Sequence, residues 1–164
     1  MPSSNNTGCP LIDRFSLQER IVMRTAWFGF MAIGAYGIYK AAPIWAVLYV
    51  LYSLLAFALV VLPALCAHCP YPYKRDTCLF LPPGILRRFY PYKGPKMSVA
   101  GKVGVLAAMA GMVIIPNFWL AADLALLLLF WLAALPTIAA FPLHYCKRCR
   151  NFDCPMNKAK NRAA

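Results

Sequence analysis

The chain has 164 residues, 62% of them hydrophobic and only 13% charged, with a formal net charge of +12. A soluble domain is nearer half apolar and a quarter charged, so these values exclude an ordinary water-soluble globule and point to a membrane protein of one compact domain. In a soluble chain the basic excess would suggest nucleic acid, but here the basic residues flank apolar runs, which indicates anionic lipid headgroups and no nucleic-acid partner.

Residues 1–20, MPSSNNTGCPLIDRFSLQER, form a polar head with no short apolar core and no small-residue cleavage site after it, so a cleaved signal peptide is not expected. Asn5-Asn6-Thr7 matches a glycosylation sequon, a pattern common by chance. The first apolar run is residues 21–39, with Arg24 near its start, placed to snorkel toward headgroups. After Lys40 and a short turn, the second run covers residues 43–65. Residues 66–98 mix Cys, Tyr and basic side chains. The third run is residues 99–115, Pro116-Asn117 reads as a turn, and the fourth run is residues 118–143. A basic, cysteine-rich tail occupies residues 144–164. Each run suits a helix crossing ~30 Å of hydrocarbon. The expected fold is an all-α integral membrane protein with four transmembrane helices. They form two tandem helical hairpins, residues 21–65 and 99–143, each followed by a cytoplasmic Cys-rich segment.

Small residues recur at helical spacing in the first and third runs: Gly29, Ala32, Gly34 and Gly37, then Gly101, Gly104, Ala108 and Gly111. They predict close helix–helix contact. Pro63 and Pro136 fall inside their helices and predict kinks. Sixteen of the 17 basic residues lie in the head, the middle connection and the tail, or just inside the runs beside them; Lys40 is the exception. The positive-inside rule makes that side cytoplasmic, with both termini on it. A bacterial or archaeal cytoplasmic membrane is the expected location.

The two halves repeat one another. Cys66-Ala67-His68-Cys69 aligns with Cys146-Lys147-Arg148-Cys149, and a proline precedes each pair by a few residues. Six of the seven cysteines lie in these segments: Cys66, Cys69, Cys78, Cys146, Cys149 and Cys154. A reducing cytosol disfavours structural disulfides. Two CxxC pairs then read as ligands, since the turn inside each brings both sulfurs to one side. Neighbouring Lys and Arg favour thiolate. His68 and His144 add imidazoles that would ligate or support from behind. One four-cysteine zinc site, two sites of three cysteines and a histidine, or a four-iron, four-sulfur cluster all satisfy the donor set. Cys69-Pro70 and Cys154-Pro155 resemble the Cys-Pro ending of a ferredoxin cysteine run, without its full spacing. Buried cysteines acting as plain hydrophobes are a poor alternative, because the neighbours are Lys, Arg, Asp and Asn. Cys9, alone in the head, is not assigned a role.

The middle connection carries two Tyr-Pro-Tyr-Lys motifs, residues 71–74 and 90–93. Arg87, Arg88, Lys93 and Lys96 are the expected contacts to lipid headgroups or a phosphate-bearing ligand. Asp123 reads as an acidic residue inside the fourth run, a site for a polar intramembrane function or a carboxylate near the outer turn. No catalytic pair is evident, so enzymatic activity is left open. The sequence therefore predicts a small membrane protein with a cytosol-facing Cys/His centre holding zinc or an iron–sulfur cluster. It would serve as a redox or accessory subunit beside other membrane subunits and quinone. Soft-metal transport or tolerance, or a structural subunit stapled by zinc, are the alternatives.

Overall fold

The fold is described by a computed structural model covering residues 11–94, 96–151 and 157. Cys9, the Asn5-Asn6-Thr7 match, Cys154 and the basic residues Lys158, Lys160 and Arg162 lie outside the described residues. All regular elements among the described residues are helical, and four helices are long and apolar enough to cross a membrane: Leu17–Ala41, Pro43–His68, Val99–Leu120 and Leu124–Arg148. These are called the first to fourth spans below.

The first span starts earlier than its apolar run. Ser16 accepts a hydrogen bond from the Glu19 amide (3.1 Å) while the Glu19 carboxylate accepts from the Ser16 amide (2.8 Å). This reciprocal capping satisfies two amides that a helix start leaves open, and it carries the helix four residues into the polar head. Arg24 does more than reach outward: its Nε donates to the Leu79 carbonyl in the middle connection (3.3 Å).

The start of the fourth span departs from the sequence reading. The chain keeps winding through Pro116 into the short helix Asn117–Leu120, and the break comes at residues 121–123. Asp123 ends that break by accepting from the Leu126 amide (3.2 Å), as an N-cap carboxylate does. Asp123 is therefore in the turn before the fourth span, not inside a span. Its carboxylate meets Lys40 Nζ at 2.9 Å, and this pairing, followed by the cap bond, holds its pKa below the usual carboxylate range. Both side chains are substantially solvent-accessible, so the pair is a weak surface tie.

The prolines act through changes of helical pitch. A proline inside a helix removes one amide donor and crowds the preceding turn. In the second span the helix widens to a π turn over Ala56–Val61, just before Pro63. The fourth span contains Pro136 and widens over Phe141–Tyr145, a turn that includes Pro142. Such local adjustments re-satisfy backbone groups where water is absent.

Packing is led by aromatics and small residues. Phe30 and Phe130 are fully buried and meet edge to face at 5.8 Å, with Trp27, Met112, Leu120 and Ala134 around them. The first span lies against both the second and the fourth, while the third seats on the π turn of the second. Gly34 allows this approach: a Cβ there would lie 3.1 Å from Pro116 Cβ and 3.3 Å from the Phe130 ring. Gly37, Gly104 and Gly111 are similarly crowded, by Leu120, Val60 and Tyr52. Gly29 and Ala32 depart from the small-residue reading: nothing lies within 4 Å of a would-be Cβ on Gly29, and Ala32 is exposed. Much of each span stays uncovered by the chain itself; on the fourth, Leu124, Leu128, Leu132 and Leu135 form an exposed stripe. Hydrocarbon or another membrane subunit suits such a surface, and water does not.

Candidate functional site at the paired cysteines

The second and fourth spans end alike. Each runs from a π turn to a single 3₁₀ turn, Cys66–His68 in one and Cys146–Arg148 in the other. Each then breaks at the second cysteine, where the backbone becomes extended: φ −86°, ψ 125° at Cys69 and φ −81°, ψ 134° at Cys149. The repeat seen in the residues is thus a repeat of local geometry over the four residues of each pair. The π turns do not correspond: Ala56–Val61 is separated from Cys66 by the α turn Leu62–Ala64, whereas Phe141–Tyr145 abuts Cys146.

Head, middle connection and tail meet around these ends. The Ile12 amide donates to the Arg148 carbonyl (2.8 Å). Buried Tyr71 donates its hydroxyl to the Ile12 carbonyl (2.8 Å) and accepts from the Arg150 amide (3.1 Å). Burial pushes the Tyr71 phenol up to about 12, and the adjacent Cys149 and Cys69 add to the shift. The two Tyr-Pro-Tyr-Lys motifs pack on one another here. Tyr73 donates to the Tyr90 carbonyl (2.6 Å), the Tyr73 and Tyr92 rings are 5.1 Å apart, and Tyr90 donates to the Ala58 carbonyl (2.8 Å).

A partly open cavity of about 150 Å³ lies beside these contacts. Both CxxC pairs line it: Cys66, Cys69, Cys146 and Cys149 are all on its wall, with Cys78 and His68 beside them. Cys66 and Cys78 are buried thiols packed in one cluster with Leu62 and Leu86. The rest of the wall is apolar and includes Phe15, Leu65, Leu79, Phe80, Phe141 and Tyr145.

Polar groups aim at the cysteines from behind. The Asn151 amide donates to Cys149 Sγ (3.4 Å), and the Asn151 side chain donates to the His68 carbonyl (3.2 Å), so one residue touches both pairs. Buried Asn157 holds that arrangement by donating to the carbonyls of Cys149 (2.8 Å) and Asn151 (2.7 Å). His68 Nδ1 is 2.8 Å from the Gly94 carbonyl. A carbonyl only accepts, so Nδ1 donates this hydrogen bond. Gly94 reaches this position at φ +90°, backbone that a side chain would strain.

The expected site residues thus fall into groups. Cys66, Cys69, Cys78, Cys146, Cys149 and His68 share one cavity, and Cys154 lies outside the described residues. His144 is not on the cavity wall: it is half exposed, with Nε2 3.9 Å from Glu19 Oε1. Of the expected headgroup contacts, Arg87 is engaged with Asp76, while Arg88, Lys93 and Lys96 are exposed. Asn151, Tyr71 and the Ile12 backbone were not anticipated. Tyr71 had a signal in its Tyr-Pro-Tyr-Lys motif, and Asn151 in lying two residues past a CxxC; the Ile12 backbone had none.

The donor set can be tested against a centre. Four thiolates at ~2.3 Å from one zinc would hold their sulfurs within about 4 Å of each other. Among the described residues, no three His, Cys, Asp or Glu side chains are gathered as a single-ion site. The cysteines border a space of about 150 Å³. Amide-to-sulfur hydrogen bonding, apolar walls and several thiols suit a soft centre of several atoms. The chain matches no family model, no curated protein and no solved structure.

Proposed function

We propose that this chain is a small integral membrane redox or accessory subunit whose cysteine pairs hold one iron–sulfur cluster. Cys66, Cys69, Cys146 and Cys149 are its ligands, and Cys78 lines the same cavity. The observation that carries this reading is that both CxxC pairs, with Cys78 and His68, line a single cavity. When bound, a cluster supplies one-electron transfer at a potential set by burial and by hydrogen bonds to its sulfurs. The chain's own part is to supply those terms. The Asn151 amide stabilises negative charge on Cys149, the apolar wall excludes water, and His68 and Tyr71 brace the two halves.

In this reading the four spans are two hairpins in tandem, and the cysteine ends, with both termini, face the cytoplasm of a bacterial or archaeal cell. The basic residues around them sit at anionic headgroups, and the uncovered apolar faces meet lipid or other subunits of a complex that exchanges electrons with quinone. A zinc staple is the second reading, favoured by the way the cavity wall ties head, middle and tail together. The test is metal and sulfide content of the Cys66→Ser and Cys146→Ser variants, purified without oxygen. One shared cluster predicts that each single change removes most of the iron and sulfide. Zinc at one ion per chain would replace this reading by the second. Full iron retention in either variant would defeat the shared centre.

A further inference from the structure

We propose that a cleft beside the cysteine cavity binds a phosphate-bearing anion through Lys74, Arg75 and Arg150. The cleft holds about 270 Å³ and is lined by these three side chains with Pro70 and Tyr71. Its residues come from separate parts of the chain: Lys74 and Arg75 end the short helix Pro70–Lys74, and Arg150 follows the second CxxC pair. The two guanidinium groups converge on one oxygen. Arg75 Nη1 is 3.1 Å and Arg150 Nη2 is 2.8 Å from Asp13 Oδ1.

Asp13 acts there as an internal stand-in for an oxyanion. It shows that both forks point at one acceptor position, the geometry that recognises carboxylate and phosphate. The charge does not balance, because two guanidinium groups share a single carboxylate and Lys74 lines the same cleft. A phosphate group carries up to two negative charges and three acceptor oxygens, and it neutralises the cleft better than Asp13 does. Asp13 itself is exposed, so exchange needs no unfolding of the core. The consequence reaches the cysteines. The Arg150 backbone amide is bonded to the Tyr71 hydroxyl, and Tyr71 lines both the cleft and the cysteine cavity. An anion in the cleft would clamp the head, the middle connection and the tail together.

The phosphate comes from a lipid headgroup or from a soluble phosphate, and one experiment separates the two. Full-length protein in phosphatidylcholine nanodiscs is titrated with inorganic phosphate by calorimetry at low ionic strength, where surface charge is least screened. Saturable binding is expected. Arg150→Gln should weaken it about tenfold, as for loss of a charge-assisted contact. Lys74→Gln, an exposed change, should weaken it in the same direction if the arginine variant fails to fold. Asp13→Asn should tighten binding several-fold, because the internal competitor is gone. Lys40→Gln, a basic residue outside the cleft and paired with Asp123, should change nothing. Repeating the titration in discs containing phosphatidic acid identifies the source: abolished phosphate binding assigns the cleft to the lipid, and unchanged binding assigns it to soluble phosphate. Absence of saturable binding in phosphatidylcholine discs, weaker binding in Asp13→Asn, or a Lys40→Gln loss equal to that of Arg150→Gln would each overturn the proposal.

Discussion

Replacing Tyr71 by phenylalanine tests whether head, middle connection and tail close as one unit over the cysteines. The ring stays, and with it the contact to Phe15 at 4.9 Å, so no packing void is created. Only the hydroxyl leaves, and it serves two backbone groups: the Ile12 carbonyl at 2.8 Å and the Arg150 amide at 3.1 Å. Leaving a buried backbone group without its partner costs ~1–3 kcal/mol. Partial rescue by water at the tail end brings the expected local cost to about 2 kcal/mol. A cost of that size multiplies the population of the opened tail roughly 30-fold, since 1.4 kcal/mol is a factor of ten. Hydrogen exchange reads this directly, because amides in locally opening segments exchange in proportion to the open population. Peptides covering residues 146–151 should therefore exchange about 30-fold faster in Tyr71→Phe, with the amides of the buried Phe30–Phe130 core unchanged. Equal exchange of the tail in both proteins would refute the claim that Tyr71 locks it. Equal acceleration throughout the spans would show instead that the hydroxyl supports the whole fold.

Further expectations concern the bundle and its far end. Gly34→Val should destabilise the protein by ~1–3 kcal/mol through forced contact with Pro116 and Phe130. Gly29→Ala should be neutral or stabilise by up to about 1 kcal/mol, since its side has room and alanine is the better helix former; thermal unfolding in one detergent compares the two. Phe130→Ala removes a fully buried ring and should cost about 3–5 kcal/mol in the same assay. Asn117→Ala frees the Trp131 indole, whose Nε1 donates to Asn117 Oδ1 at 2.8 Å, and should cost ~1 kcal/mol. Trp131 emission should shift with it. The Lys40–Asp123 tie has a definite pH sign. Its carboxylate is held below the ordinary range in the folded state, so the contribution is present above that range and fades as pH falls through the depressed value. Asp123→Asn should flatten that part of the acid stability profile and leave neutral-pH helix content intact.

The spans were legible because lipid imposes a simple rule, about twenty apolar residues per crossing, and the chain obeys it four times. The break before the fourth span was not. Pro116-Asn117 carries the usual turn residues, yet Asn117 donates back to the Val113 carbonyl at 2.6 Å and lets the helix continue. Asp123, three residues before the Leu126 amide, is the better stop signal, and reading it as an intramembrane acid hid its capping role. At the site, the cysteine spacing announced two matching elements, and the geometry of residues 66–69 and 146–149 follows from the same proline-then-CxxC order in each half. Which histidine joins them was not legible. His68 and His144 differ in surroundings only after the chain closes, one meeting Gly94 and the other Glu19. Tyr71 and Ile12 act across more than fifty residues of chain, and no local pattern marks such a pair.

The central claim is one soft, multi-atom centre shared by both cysteine pairs. The most direct test is elemental analysis with a visible absorption spectrum on protein purified without oxygen from its native membrane. The account predicts iron with acid-labile sulfide in a single cluster per chain and a broad brown absorbance that bleaches on reduction. Metal-free protein in which every cysteine titrates as a thiol would contradict it.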